Sequence, residues 1–392
     1  MIMDNKNIIL ALPSWYPSEL DAFNGDFIQR HVQAIALHCR QYVIYVVKDE
    51  KGILTKNVRQ VVHEKENYTE KIIYYHSPKT GIGLIDRYLS HQTYKRIQKR
   101  AIARFVSQQG KPALVHVHVA MKAGIGALWV KHKYGVPYII TENWTGYYRQ
   151  SVPNMHGQNI FLRRALASVI KKAKRIVPVS DDLAKRMEEN FGEIKYSVIP
   201  NVVNRELFFY SRKEIPRFRF IHPSYLSYQK NPDGMLEACN ILKQRGYAFE
   251  LVFIGSTDRR LIEKTRLMGL LDEQVFFKPL MPYTEVAKQM QDSSALLMFS
   301  RFENLPCVIL EALCCGLPVI SSRVGGIAEV IDERNGILVE SENVDQLADA
   351  MQQLVDNHAL YNGQTISSDA IARFNYDTVG AQYLSLYKEI SS

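Results

Sequence analysis

No apolar run in the 392 residues approaches the roughly 18–20 that a membrane-spanning helix needs, which excludes an integral helical membrane protein. Cysteine is scarce. Cys39, Cys239, Cys307, Cys314 and Cys315 form no Cys-x-x-Cys pair, and an odd count in apolar surroundings predicts reduced thiols in the cytoplasm. There is no Asp-x-Asp metal motif. In "VSDDLAKRM" the two aspartates are adjacent, and Ser180 before them reads as the cap of a helix. No RNP1 run, CCHH spacing or helix-turn-helix is present, so nucleic acid is not an expected partner. The opening "MIMDNKNIILALPSWYP" has a short apolar run, an Asp before it and no small-residue cleavage site, which predicts a first strand and not a signal peptide.

What remains is ordinary for a globular chain: 46% hydrophobic, 23% charged and 10% aromatic, at a length that suits two domains. The net charge of +9 is unevenly spread, with +14 in residues 1–200 and −5 in the rest. Basic residues cluster in "YKRIQKRAIAR" (94–104) and "RRALASVIKKAKRIV" (163–177). In the second, Leu162, Leu166, Val169, Ile170 and Ala173 fall near one helical face. Its basic flanks are either a solvated face or a surface for anionic lipid headgroups or an anionic acceptor.

Short β-rich runs alternate with helical patterns. Strands are predicted at Ile8–Leu12, Tyr42–Val47, Leu114–Val119, Tyr138–Thr141 and Ile176–Val179. A second series follows at Phe218–His222, Glu250–Ile254, Val275–Phe277, Ala295–Phe299 and Pro318–Ser321. This alternation predicts an α/β protein with two doubly wound parallel sheets, joined near residues 199–218 where Pro and polar residues interrupt the pattern. Ligands of such sheets bind beyond the carboxyl ends of the strands.

The residues just past those ends are therefore the candidates. After the first strand a long loop reaches Asn24-Gly25-Asp26, and a helix starts at about Phe27. Gly25 permits close backbone approach, and a helix start suits an anion. His116 and His118 share a strand face; two histidines without a third ligand make a poor metal site, and His118 is placed to line a cleft. Glu142 and Asn143 also follow a strand. Lys230 lies just before a helix at Asn231-Pro232, where a cation opposes the helix dipole unless an anion is bound there.

The run "SRFENLPCVILEALCCGLPVI" carries most information. Pro306 marks a helix start and Gly316 its stop. Amides around Asn304, Leu305 and Cys307 suit a diphosphate. Glu311, set among Val308, Ile309, Leu310, Ala312 and Leu313, is costly to bury without a partner. A ribose diol offers two O–H donors to one such carboxylate. Glu303, in the loop, would lie on the other side of the phosphates, and Gly325-Gly326 permits a further close approach.

"ENLPCVILEALCCGLPVISSRVGGIAEVI", with Glu303 and Glu311 at E-x7-E spacing, resembles the signature of the family 4 retaining glycosyltransferases. The resemblance extends to "PSWYP…NGDF", "IPNVVN…F", the Lys230 loop and the final aromatic-rich helix. It implies the GT-B fold: two Rossmann-like domains facing across a cleft, with residues 1–204 on the acceptor side, 205–373 binding the donor, and a last helix within 374–392 crossing back. It implies a nucleotide-diphosphate sugar as donor substrate, no cofactor, no metal, and a glycan or lipid-linked acceptor. Glu311 would bind the ribose, and Lys230 with the Asn304-Leu305 backbone the diphosphate. Glu303 would lie near the reacting carbon, and Phe276–Leu280, with Lys278 and Leu280, would pass the base. Gly25 would approach the phosphates, with Asn143 and His118 on the catalytic side. The family's Gly-Arg-Leu is here Ser224-Tyr225-Leu226, leaving Arg301 or Lys278 to compensate. Asn143 stands where a cleft histidine is often found. The implied role is synthesis of a cell-surface polysaccharide or glycolipid, in the cytoplasm and on an anionic membrane surface. The alternatives are a nucleotide-sugar 2-epimerase and a non-catalytic nucleotide-sugar binding protein.

Overall fold

The computed structural model describes residues 8–52, 54, 57–77, 80–211, 215–255 and 258–391. Two sheets organise it. The first has seven strands: β1 (Ile9–Pro13), β2 (Gln41–Lys48), β3 (Val58–Glu64), β4 (Tyr68–Tyr75), β5 (Leu114–His118), β6 (Tyr138–Glu142) and β7 (Arg175–Pro178). Their order is β3-β4-β2-β1-β5-β6-β7, and all are parallel except β3, which pairs antiparallel with β4. The second has six parallel strands: β8 (Phe218–Ser224), β9 (Phe249–Gly255), β10 (Val275–Pro279), β11 (Ala295–Met298), β12 (Val319–Ser322) and β13 (Gly336–Val339), in the order β10-β9-β8-β11-β12-β13.

Helices cover these sheets. Those of the first half are α1 (Asp26–Ala36), α2 (Gly83–Gln109), α3 (Ala120–Tyr134), α4 (Ile160–Lys172) and α5 (Asp181–Phe191). The second half adds α6 (Pro232–Gln244), α7 (Arg259–Leu267), α8 (Tyr283–Gln291), α9 (Cys307–Cys314), α10 (Val344–Asp356), α11 (Gly363–Phe374) and α12 (Tyr376–Ser391). All ten predicted strands are present within a residue or two. The central strands β1 and β5 are buried along their whole length, as strands covered on both faces must be.

Two chain crossings run side by side between the halves: the Val203 amide donates to the Phe374 carbonyl at 2.8 Å. Beyond that point α12 lies on α1. Gly380 sits so close to the Ala34 carbonyl that a Cβ would come within 2.2 Å of its oxygen. The tyrosines of α12 reach into the first sheet, where Tyr387 bonds to His116 at 2.7 Å and Tyr383 to Thr141 at 2.9 Å. Residues at or just past the carboxyl ends of β6, β8, β9 and β10 face a common cleft. No described helix is long and apolar enough to cross a membrane.

Candidate active site

The cleft holds two adjoining chambers. One, of about 490 Å³, is lined by Asn143 from the end of β6 and by Lys230, Glu303, Asn304 and Leu305 from the second half. The other, of about 190 Å³, is lined by Phe23 and Asp26 from the first half and by Leu280, Tyr283 and Glu311 from the second. Pro223, Ser224, Tyr225, Cys307 and Val308 line both.

Glu311 sits on the buried face of α9, its side chain 4% exposed. Its partner is a protein group. Arg30, on α1 of the opposite half, donates from Nη1 to Glu311 Oε1 at 2.5 Å and from Nη2 to Asp26 Oδ2 at 2.5 Å. The guanidinium lies 4.6 Å over the Tyr283 ring, and the Tyr283 hydroxyl donates to Asp26 at 2.7 Å. Burial pushes the Glu311 carboxyl above its ordinary value while Arg30 pulls it back. Burial also costs Arg30 its hydration, the largest single effect, but Glu311, Cys307, Asp26 and Tyr283 together outweigh it and hold the guanidinium charged. The sequence sends Glu311 to a ribose; in the structure it bridges the two halves through Arg30.

Lys230 and Glu303 make a second pair, Nζ to Oε1 at 2.5 Å, with side chains 17% and 6% exposed. A 3₁₀ turn (Tyr228–Lys230) carries the lysine. Asn231 follows in the left-handed region, φ 51°, and caps α6 by accepting from the Gly234 amide. Each carboxylate of the E-x7-E pair thus holds one cation, and Arg30 is shared with Asp26.

Asn304 fixes the loop: its Nδ2 donates to the Asn143 carbonyl at 2.5 Å, and its carbonyl accepts from the Gly326 amide at 2.8 Å. The Leu305 carbonyl accepts from Asn201 at 2.8 Å. Asn143 is itself held by Glu142. That buried carboxylate accepts from the amides of Ala120, Asn143 and Trp144 and from the Tyr147 hydroxyl, which makes it a structural group.

Several expectations need correction. Gly25 caps α1 at φ 72°, but a Cβ there would lie 2.5 Å from the Trp15 carbonyl carbon; glycine is required by its own chain, and it lines neither chamber. Gly325 likewise approaches the Glu303 carbonyl, where a Cβ would come within 2.0 Å of the oxygen. Lys278 donates to Gln289 at 2.6 Å and lines neither chamber. Arg301 is held by Glu342 and by the Tyr228 carbonyl, and it also lines neither chamber. His118 does not line the cleft. It is 1% exposed, its ring 4.0 Å from that of His116, and both its nitrogens lack a partner among the described residues. The side chain at the end of β5 points into the layer beneath α12. Leu280, Asn143, Glu303, Asn304, Leu305, Lys230 and Glu311 do come together. Arg30, Asp26 and Tyr283 were not anticipated. Among the described residues no three His, Cys, Asp or Glu side chains are grouped to hold a metal ion.

Comparison with known proteins bears on the family and the fold. The model described as Glycosyltransferase Family 4 matches residues 54–207, and that described as Glycosyl transferases group 1 matches residues 204–365. The chain belongs to the family 4 glycosyltransferases. As a family 4 chain it is 28% identical to a glycosyltransferase of Methanocaldococcus jannaschii over 71% of its length and 76% of the relative's. It is 23% identical to the putative teichuronic acid biosynthesis glycosyltransferase TuaC of Bacillus subtilis, over 96% of this chain and 94% of that one. Among solved structures it is similar to a sucrose-phosphate synthase from Thermosynechococcus elongatus, with TM-score 0.77, 16% identity and coverage of 98% and 99%. Anabaena HepE, solved with UDP, matches at TM-score 0.71, 15% identity and coverage of 98% and 100%. The architecture shared with these structures is the GT-B fold.

Proposed function

We propose that this glycosyltransferase moves a sugar from a nucleoside-diphosphate sugar to a glycan or lipid-linked acceptor, with retention of anomeric configuration and without metal or cofactor, in cell-surface polysaccharide or glycolipid synthesis. The observation that carries the reading is the pair of buried carboxylates, Glu303 and Glu311, each holding one cation in the same cleft. A donor offers what each pair can exchange for. The Glu311 carboxylate takes ribose hydroxyls in the chamber lined by Leu280 and Tyr283, and Lys230 takes the diphosphate. The acceptor oxygen forms its bond to the anomeric carbon as the bond to the diphosphate breaks. The acceptor's proton passes to the departing phosphate oxygen on the same face. The diphosphate gains charge in that step, and Lys230 stabilises it. Glu303 and Asn143 position the sugar; His118 supports that side from one layer beneath.

Supporting context comes from relatives named for amylovoran, colanic acid and teichuronic acid biosynthesis, and from HepE structures holding UDP and UDP-glucose. A donor of this class fits work in the cytoplasm. An anionic membrane is the proposed surface, because α4 exposes Phe161, Arg163, Arg164, Lys171 and Lys172 while burying Leu166, Val169 and Ile170. The test is a binding screen of nucleotide sugars, UDP sugars first, followed by turnover of each hit in EDTA. The reading expects one donor to be bound and turned over in EDTA. No binding, or complete loss in EDTA restored by magnesium or manganese, contradicts it.

A further inference from the structure

Arg30 touches the smaller chamber's wall without lining the chamber. Asp26, Tyr283 and Glu311 line it, and Arg30 contacts all three from behind. The guanidinium is divided between two carboxylates. Nη1 goes to Glu311 and Nη2 to Asp26, one turn earlier on α1, so Glu311 receives it on Oε1 alone. The Tyr283 hydroxyl donates to the same Asp26 oxygen, and the Tyr283 ring covers the guanidinium face. Arg30 is thus pinned from α1 and α8 at once.

Glu311 Oε2 is differently placed. No described residue bonds to it, yet it is not among the buried polar atoms left unpaired. Glu311 lines the smaller chamber and not the larger, so the open side of Oε2 is that chamber. A carboxylate oxygen has two lone pairs, and a ribose diol offers two O–H donors. The local charge suits such a group. One guanidinium faces two carboxylates, which leaves one negative charge. Cys307 and Tyr283 add none, because burial pushes the thiol up to about 12 and the phenol higher still. A net negative wall favours hydroxyl donors and repels phosphate, which is left to Lys230 in the larger chamber.

Arg30 is the one cation on Glu311. Without it, burial and then Asp26 both favour the protonated acid. A neutral acid accepts hydrogen bonds about half as strongly as a carboxylate. The side chain also loses the contact that fixes which oxygen faces the chamber.

We infer that Arg30 is a positioning residue for the donor: from the opposite half of the molecule it holds Glu311 by Oε1 and so presents Oε2 to the ribose hydroxyls. The exchange at this pair is then partial, with Oε1 staying on Arg30. The inference rests on the reading of Glu311 as the ribose ligand.

The experiment is calorimetric titration of the full chain with UDP, GDP and ADP, each beside its dideoxy counterpart, which lacks both ribose hydroxyls. The wild-type protein is expected to bind one diphosphate about tenfold or more tighter than its dideoxy form, as bonds to a charged acceptor require. In Arg30→Gln that preference should fall below about threefold, while affinity for the dideoxy form stays within about twofold of wild type. A merely structural role would weaken both forms alike. In a Glu311→Gln background, Arg30→Gln should change the preference no further, because Arg30 acts through Glu311. Circular dichroism checks folding. If Arg30→Gln does not fold, Arg30→Lys replaces it: its ammonium lacks the fork that holds Asp26 and Glu311 together, and the preference should fall at least about threefold. A preference kept in the Arg30 variant, or equal weakening of both forms, overturns this inference and leaves the donor reading standing. Equal binding of both forms by the wild-type protein, or binding of none, overturns the donor reading and this inference with it.

Discussion

Replacing Arg30 by methionine should cost more stability than the loss of a surface charge. The side chains of Arg30 and Glu311 are 10% and 4% exposed, and they join α1 to α9 across the cleft. Arg30→Met leaves a buried carboxylate with no cation, which costs about 3–5 kcal/mol. Glu311→Leu should cost less, because Arg30 keeps Asp26 and the Tyr283 face. The double variant removes the Arg30–Glu311 pair whole and leaves Asp26, 20% exposed, to the Tyr283 hydroxyl, so its cost should fall short of the two single costs combined by at least about 2 kcal/mol. The pH dependence has a definite sign. Without Arg30, only burial acts strongly on Glu311 and raises its folded value above the unfolded one. Protonation then relieves the cost at low pH, and the cost grows as pH rises toward 8. Urea unfolding of the four proteins at pH 5 and 8 measures all of this. Single costs that add to within about 0.5 kcal/mol would refute the coupling.

Lys230→Ala should lower both kcat and kcat/KM, because the diphosphate gains charge as the sugar leaves, whereas Glu311→Ala should act mainly on the donor KM by about ten- to a hundred-fold. Near-normal kcat in Lys230→Ala on a verified donor would remove the phosphate assignment. Burial lowers His31 from 6.5 to about 4, so the unfolded chain gains a proton first as pH falls. Stability should drop between those values by roughly 3 kcal/mol from this residue. His31→Gln should flatten the drop in a pH series of melting curves, and an unchanged drop would show that His31 is not its source. The protein should bind anionic vesicles and not neutral ones, with binding weakening as salt rises from about 0.05 to 0.5 M; equal binding to both would leave α4 a solvated face.

The parallel strands were legible because burial on both faces writes them as unbroken apolar runs. The β3–β4 hairpin was not. β3, "VRQVVHE", is exposed at all but one position, and β4 carries Glu70 and Lys71 inside a buried run, Glu70 being held by Tyr16 and Gln29. β13 is only four residues long. At the site, the loop–helix run from Glu303 to Glu311 was legible because its spacing is local. Arg30 was not: it lies 281 residues from Glu311 and sits in an amphipathic helix where an arginine reads as solvated. Gly25 and Gly325 were assigned to ligands because glycine signals close approach without saying to what; here the neighbour is the chain's own backbone.

The central claim is that transfer retains configuration at the anomeric carbon, because the departing diphosphate and the incoming acceptor share one face. It is tested most directly by proton NMR of the glycoside formed from an α-linked nucleotide sugar that the screen identifies. The account predicts an α-linked product from the wild-type protein. A β-linked product would contradict it.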